Sequence, residues 1–208
     1  MKNILILICA VYLTGCAGGQ TYNYQMSSMD IPVKASEQRT LILAVEDRRP
    51  YVLSGDKEPS FVGLQRGGFG EPWDVTTDSG KPLTEDMSVA IVKGLEDAGY
   101  TVVNVPANND KVFLVKAASK NNASRIVILK VRDWKSDVFM GVTLHANLQL
   151  RVLDAEGKLL AGSSLEAMEK IAGGSWATED DNSRALADEF SRRVRILFNE
   201  DEVRRALQ

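Results

Sequence analysis

The sequence predicts an α/β fold: a two-layer sandwich in which helices cover one face of a mixed sheet of about six strands, three parallel through helical crossovers and then an antiparallel meander. Three observations predict it. From Thr40 to Trp134, apolar runs of strand length alternate with stretches whose apolar residues recur every three to four positions. From Val142 to Ile171 the period falls to two, passes through a turn and returns. A last helical stripe, Glu179 to Phe198, closes the order.

Thr40 to Glu46 (TLILAVE) is apolar throughout, as a buried strand is. A long loop over 48–82 follows, punctuated by Pro50, Pro59 and Pro72. Within it Phe61–Leu64 and Trp73–Thr77 have the composition of short strands, and Gly67, Gly68 and Gly70 suit a tight turn between them. Leu83 to Ala98 is the clearest helix. Leu83, Met87, Ala90, Ile91, Gly94 and Leu95 form its apolar face, Thr84 is placed to cap it, Glu85 and Asp86 suit its positive end, and Gly99 stops it.

Tyr100 to Val105 is the next strand, broken by Pro106 and Asn108-Asn109. A helix over 110–121 buries Phe113, Leu114, Ala117 and Ala118, and Arg125 to Trp134 is a further buried strand. In Val142–Val152, Leu144, Ala146, Leu148 and Leu150 face one way and Thr143, His145, Asn147 and Gln149 the other, which gives one wet face. Asp154-Ala155-Glu156-Gly157 turns the chain. The return reads as a strand because Leu159, Ala161, Leu165, Ala167 and Ile171 share one face at period two; Ser163 and Glu166 have capping-box spacing, the competing helical signal. Gly173-Gly174 ends it. The final helix carries Leu186, Phe190, Val194 and Leu197 as its stripe, with Asp180 and Asp181 charging its start.

The N-terminus reads as an address. Lys2 precedes an apolar run, Ile4 to Leu13, too short for a bilayer span of about 20 residues and of the length found in signal peptides. Leu13-Thr14-Gly15-Cys16 then resembles the lipobox of bacterial lipoproteins at all four positions. The expected organisation is a signal peptide over 1–15, a lipidated Cys16 with a flexible tether over 16–38, and one globular domain over 39–208. Alternation of Tyr22, Tyr24 and Met26 leaves open a packed edge strand within the tether. By resemblance, Cys16 carries a thioether-linked diacylglyceryl group and an N-acyl chain, and membrane lipid is its first partner. Two or more acyl chains anchor stably. Ala17 stands where an Asp favours inner-membrane retention in such lipoproteins, so the resemblance implies the periplasmic leaflet of the outer membrane.

Composition removes several classes of function. The chain has 25 basic and 28 acidic residues, one His and a pI of about 5.3. Nucleic acid, which is bound by phosphate neutralisation, is not an expected partner. Once the leader with Cys9 is gone, Cys16 is the remaining cysteine, which excludes a disulfide framework or zinc cluster. His145 alternates onto the wet strand face without a carboxylate partner in its pattern, and HExxH, GxSxG, P-loop and dinucleotide motifs are missing. No catalytic residue, metal ligand or cofactor site is expected. Asp47, Arg48 and Arg49 form a possible polar site, since Arg forks bind carboxylate or phosphate; the alternative is an internal salt bridge holding the long loop. Phe61, Arg66, Phe69 and Trp73 cluster in the Gly/Pro-rich loop and are candidate partner-binding residues, because Trp and Arg are favoured at interfaces.

With the lipobox, the helix ending Gly99-Tyr100-Thr101-Val102, the strand leading through Gly173-Gly174 to the last helix, and this element order, the chain resembles the YajG-like group of small Gram-negative lipoproteins. The resemblance implies a periplasm-facing, membrane-tethered α/β domain and supplies no catalytic residue. The expected function is a non-enzymatic envelope component that docks to an envelope protein, or to itself as a homo-oligomer, through loop 48–82 and the wet sheet face. The alternative is a binding module for a lipid or cell-wall fragment held between the sheet and that loop.

Overall fold

A computed structural model describes residues 19–26, 29–35, 39–106, 110–171 and 177–208. The leader, the lipobox with Cys16, and Gly173-Gly174 lie outside the described residues. In chain order the elements are β1 (Thr21–Tyr22), β2 (Thr40–Asp47), α1 (Pro50–Leu53), β3 (Phe61–Arg66), β4 (Pro72–Thr77), α2 (Leu83–Asp97), β5 (Thr101–Asn104), α3 (Lys111–Lys120), β6 (Arg125–Val138), β7 (Val142–Asp154), β8 (Leu159–Ile171), α4 (Glu179–Phe198) and α5 (Asp201–Leu207). The mixed α/β architecture is the one the sequence predicts.

β6 is the spine of an eight-stranded sheet. One of its edges pairs antiparallel with β7, which pairs antiparallel with β8. The other edge carries two strands end to end: β2 lies parallel to Arg125–Val131 and β3 parallel to Ser136–Val138. β5 flanks β2, β4 flanks β3, and β1 flanks β4. β6 runs four residues beyond its expected end at Trp134, after an irregularity between Val131 and Asp133.

The parallel order β5-β2-β6 dictates where helices go. The chain steps from β2 to β5 in one direction and from β5 back across β2 to β6 in the other. Two right-handed crossovers in opposite directions put their helices on opposite faces. Accordingly Leu41, Leu43 and Val45 share the main core with α2, α4 and α5, while Ile42 and Ala44 pack with Leu114 and Ala118 of α3. This two-sided burial explains the unbroken apolar run of β2. Each Leu, Ile or Phe buried there contributes about 1.5–3 kcal/mol. The outer face of β7 and β8, beyond the reach of α3, is the wet face.

The tether expected over 16–38 is corrected for residues 19–26 and 29–35, which belong to the domain. Tyr22 and Tyr24 have no exposed surface, and Met29, Ile31 and Val33 are buried. β1 lies parallel to β4, with Thr21 opposite Thr76, and Tyr24, Trp134 and Phe190 meet edge to face with centroids 5.7–6.1 Å apart. Alternation turns both tyrosines inward; the edge strand named as the alternative forms, although only two residues long.

Within 48–82 the two strand-like pieces form the hairpin β3–β4, slightly longer than expected and paired into the sheet, and α1 is an added short helix. α2 begins at Leu83 after Pro82, one residue ahead of the expected Thr84 cap. α4 begins as expected, and Thr178 and Asp181 cap it reciprocally. α5, which the sequence reading did not separate, buries Val203 and Leu207.

Candidate functional site

β3 and β6 run in the same direction, with Leu64 opposite Asp137 and Gln65 opposite Val138. Their ends therefore emerge together, and the turn after each strand lies at one end of the sheet. The β3–β4 turn presents Phe69, 97 % exposed, and Trp73 at the start of β4, 53 % exposed. The β6–β7 turn presents Phe139 and Met140, 44 % and 80 % exposed. Among the described residues these are the three exposed Phe and Trp side chains, and all sit at this end.

The rim is held in place. Arg66 donates from Nε to Asp137 Oδ1 at 2.7 Å and from Nη2 to Oδ2 at 2.6 Å, clasping one turn to the other. The Arg66 guanidinium holds the Asp137 carboxyl below the usual carboxylate range. The Trp73 ring lies against Gly67: a Cβ there would stand 2.5 Å from the ring. Lys57 reaches both carboxylate oxygens of Asp74 beside it, at 2.5 and 2.8 Å.

The four candidate partner-binding residues thus separate. Phe69 and Trp73 are on the surface. Arg66 is engaged by Asp137. Phe61 is buried and stacks edge-on against Tyr51 at 5.5 Å, so it belongs to the core and not to a binding face. Phe139 and Met140 were not picked out from the sequence. Their signal is two apolar residues just before Gly141, in a turn where small polar residues are the rule.

Asp47, Arg48 and Arg49 form the internal bridge named as the alternative. Arg49 is fully buried at the junction where β2 stops and β3 starts along β6. Its guanidinium binds both oxygens of Asp47 and donates to the carbonyls of Pro59 (2.8 Å) and Phe61. The fork is committed inside the protein, and no donor points outward to a ligand. Arg48 pairs with Glu46 at 3.2 Å. Tyr51 donates to Asp133 at 3.0 Å; desolvation by burial, reinforced by Asp133, raises its pKa well above the ordinary phenol value. His145 lies half-buried between Lys135 and Met168 on the neighbouring strands.

Two further surfaces bear on function. A hollow between β1 and the start of α4 is lined by Thr21, Asn23, Asp78, Glu179 and Arg184. Its polar groups serve each other: Thr21 N donates to Glu179 at 2.6 Å, strapping the N-terminal segment to α4, and Asn23 donates to Asp78 at 3.3 Å, tying it to the end of β4. β8 pairs with β7 on one side only, and its outward-facing Leu160, Ser164, Glu166, Met168 and Lys170 are exposed. Among the described residues no three His, Cys, Asp or Glu side chains converge as a metal site, and no helix is long and apolar enough to cross a membrane.

No family model matches the chain, and no curated protein matches it in sequence. In structure it is similar to a Xanthomonas campestris protein of the family model DUF330, with a TM-score of 0.57 and 13 % identity over 86 % of this chain and 91 % of that one. Weaker likenesses include a PelC variant dodecamer from Paraburkholderia phytofirmans (TM-score 0.43, 12 % identity, 85 % and 93 % covered) and lipoprotein GNA1162 from Neisseria meningitidis (0.42, 14 %, 76 % and 98 %). At these identities, what the chain shares with the Xanthomonas protein is its fold.

Proposed function

We propose that the protein is a lipid-anchored, non-enzymatic component of an envelope assembly, held through acylated Cys16 on the periplasmic leaflet of the outer membrane and acting by docking. The lipobox and the resemblance to YajG-like lipoproteins support the anchor. One observation carries docking over small-ligand binding: segment 48–82 is woven into the sheet as β3 and β4. A ligand lodged between sheet and loop needs an enclosed cleft, and the hollows that border these strands, one by Arg66 and Phe139 and one by Tyr51 and Asp133, are open to solvent.

What the fold offers instead is a surface. β8 has 13 residues and, among the described residues, a free edge, and an unpaired edge of this length accepts a strand from another chain. Main-chain hydrogen bonds supply the affinity, and the side chains of Met168, Glu166 and Ser164 supply selectivity. The test is in-cell photo-crosslinking from positions Met168 and Ser164, with Val112 on α3 as control. A discrete adduct from both β8 positions and none from Val112, whether to another envelope protein or to a second copy, is expected. No adduct from β8, or equal adducts from all three positions, refutes docking there.

A further inference from the structure

We infer that the aromatic rim formed by Phe69, Trp73, Phe139 and Met140 rests on the lipid surface that holds the anchor, so that the sheet stands with its β3–β4 and β6–β7 turns toward the bilayer. The inference rests on the reading of Cys16 as acylated and adds an orientation to it.

The direction of the chain carries the argument. β1 runs parallel to β4 with Thr21 opposite Thr76, and Thr76 N donates to Gln20 O. Stepping back toward the N-terminus therefore moves along β4 toward its start. Gly19 already lies beside Asp74, where an added Cβ would stand 3.0 Å from the Asp74 carbonyl oxygen. Asp74 is the neighbour of Trp73. Cys16 is three residues further back, and three residues of chain reach at most about 11 Å. β7, at about 3.3 Å per residue, is roughly 43 Å long, so the opposite end of the sheet is out of range. An acyl group on Cys16 is therefore attached within about 11 Å of Gly19, at the end of the sheet that carries the rim.

The chemistry of the rim fits that surface. Trp concentrates at the headgroup level, because its body is apolar and one edge donates a hydrogen bond, and Phe joins it on the apolar faces of interfacial segments. Met140 adds a flexible apolar chain, and two charge pairs beside the rim are closed, Arg66 with Asp137 and Lys57 with Asp74, while Glu71 in the β3–β4 turn and Lys170 near Met140 are exposed at its border. Aromatic groups buried in the interface add to an acyl anchor as a second signal does.

The test uses the full-length acylated protein in phosphatidylethanolamine–phosphatidylglycerol vesicles. Met140→Cys and, at the far end of β8, Leu160→Cys each carry an environment-sensitive dye, with spin-labelled acyl chains as quencher. The label at 140 is expected to be quenched about threefold more than that at 160, as befits a group within ~5–10 Å of the acyl boundary. Phe69→Ser with Trp73→Ser should lower quenching at 140 without unfolding the protein. Equal or absent quenching, with the acyl mass on Cys16 confirmed by mass spectrometry, overturns the orientation and leaves the anchor standing. No acyl mass overturns both. A benzophenone at position 69 that couples to another protein instead of phospholipid also overturns it.

Discussion

The indole N–H of Trp134 donates to the hydroxyl of Tyr24 at 2.9 Å, and neither side chain has exposed surface. A residue eight positions from Cys16 is thereby fixed to the spine of the sheet. Burial raises the Tyr24 pKa well above the ordinary phenol value, so the hydroxyl stays protonated and the bond neutral across the physiological range.

Tyr24→Phe leaves a buried indole donor without an acceptor, which costs about 1–3 kcal/mol. Tyr24→Ala opens a cavity beside Phe190 and costs about 3–5 kcal/mol. Urea midpoints at constant slope check both; midpoints equal to wild type would mean that residues 19–26 are a loose tether after all.

Arg49→Ala should destabilise by about 3–5 kcal/mol, because it leaves Asp47 and two carbonyls without their shared partner. Arg49→Lys rescues little, since an ammonium lacks the fork that reaches Asp47, Pro59 and Phe61 together. Calorimetry of the pair decides it: a Lys variant as stable as wild type contradicts this role.

Asp137→Asn should weaken the protein at neutral pH and not in acid. Its folded pKa is depressed by Arg66, so the stabilisation is full above the unfolded value, about pH 4, and is lost as pH falls through the lower folded value. The gap in urea midpoint between the two proteins should narrow as pH falls below about 4 and close once pH has passed the lower folded value. A gap unchanged in acid assigns the effect to something other than the charge.

Gly63→Ala should detach the hairpin. A Cβ at Gly63 would stand 2.1 Å from Ser136 Oγ and 2.6 Å from its carbonyl oxygen, where β3 meets β6. Overpacking of this kind costs about 1–3 kcal/mol. Amide exchange should accelerate in β3 and β4 while β7 stays protected; uniform protection refutes it.

Phe69→Ser should change stability by less than about 0.5 kcal/mol, as an exposed side chain does, while Phe61→Ala costs about 3–5 kcal/mol. The contrast separates surface from core within one sequence cluster, and thermal melts of the two variants measure it.

Regular periods made most of the fold legible. α2, β7, β8 and α4 each repeat apolar residues at two or at three to four positions over a full element, and β2 is an unbroken apolar run. Residues 29–35 alternate too, with Met29, Ile31 and Val33 buried, but they are held by packing without pairing in the sheet, and Pro32 interrupts the pattern of a strand. α5 escaped because Val203 and Leu207 alone mark its buried side. At the candidate site, composition identified Phe69 and Trp73, but Phe61 shares that composition and points inward. Only the pairing of β3 with β6 brings Phe139 and Met140, over sixty residues away, to the same rim, and no local pattern encodes that register.

The packing of the chain from Gly19 onward governs more than stability. On the proposed anchor at Cys16, three residues earlier, the domain would stand upright on a floor and would not swing on a string. Every copy would then point its β8 edge sideways with the same end down. Two such edges can join in a regular continuous sheet only head to foot, which would lift one copy's aromatic feet off the floor. Twins zipped together along β8 and the upright posture therefore exclude each other, and the identity of the β8 partner reports on the posture.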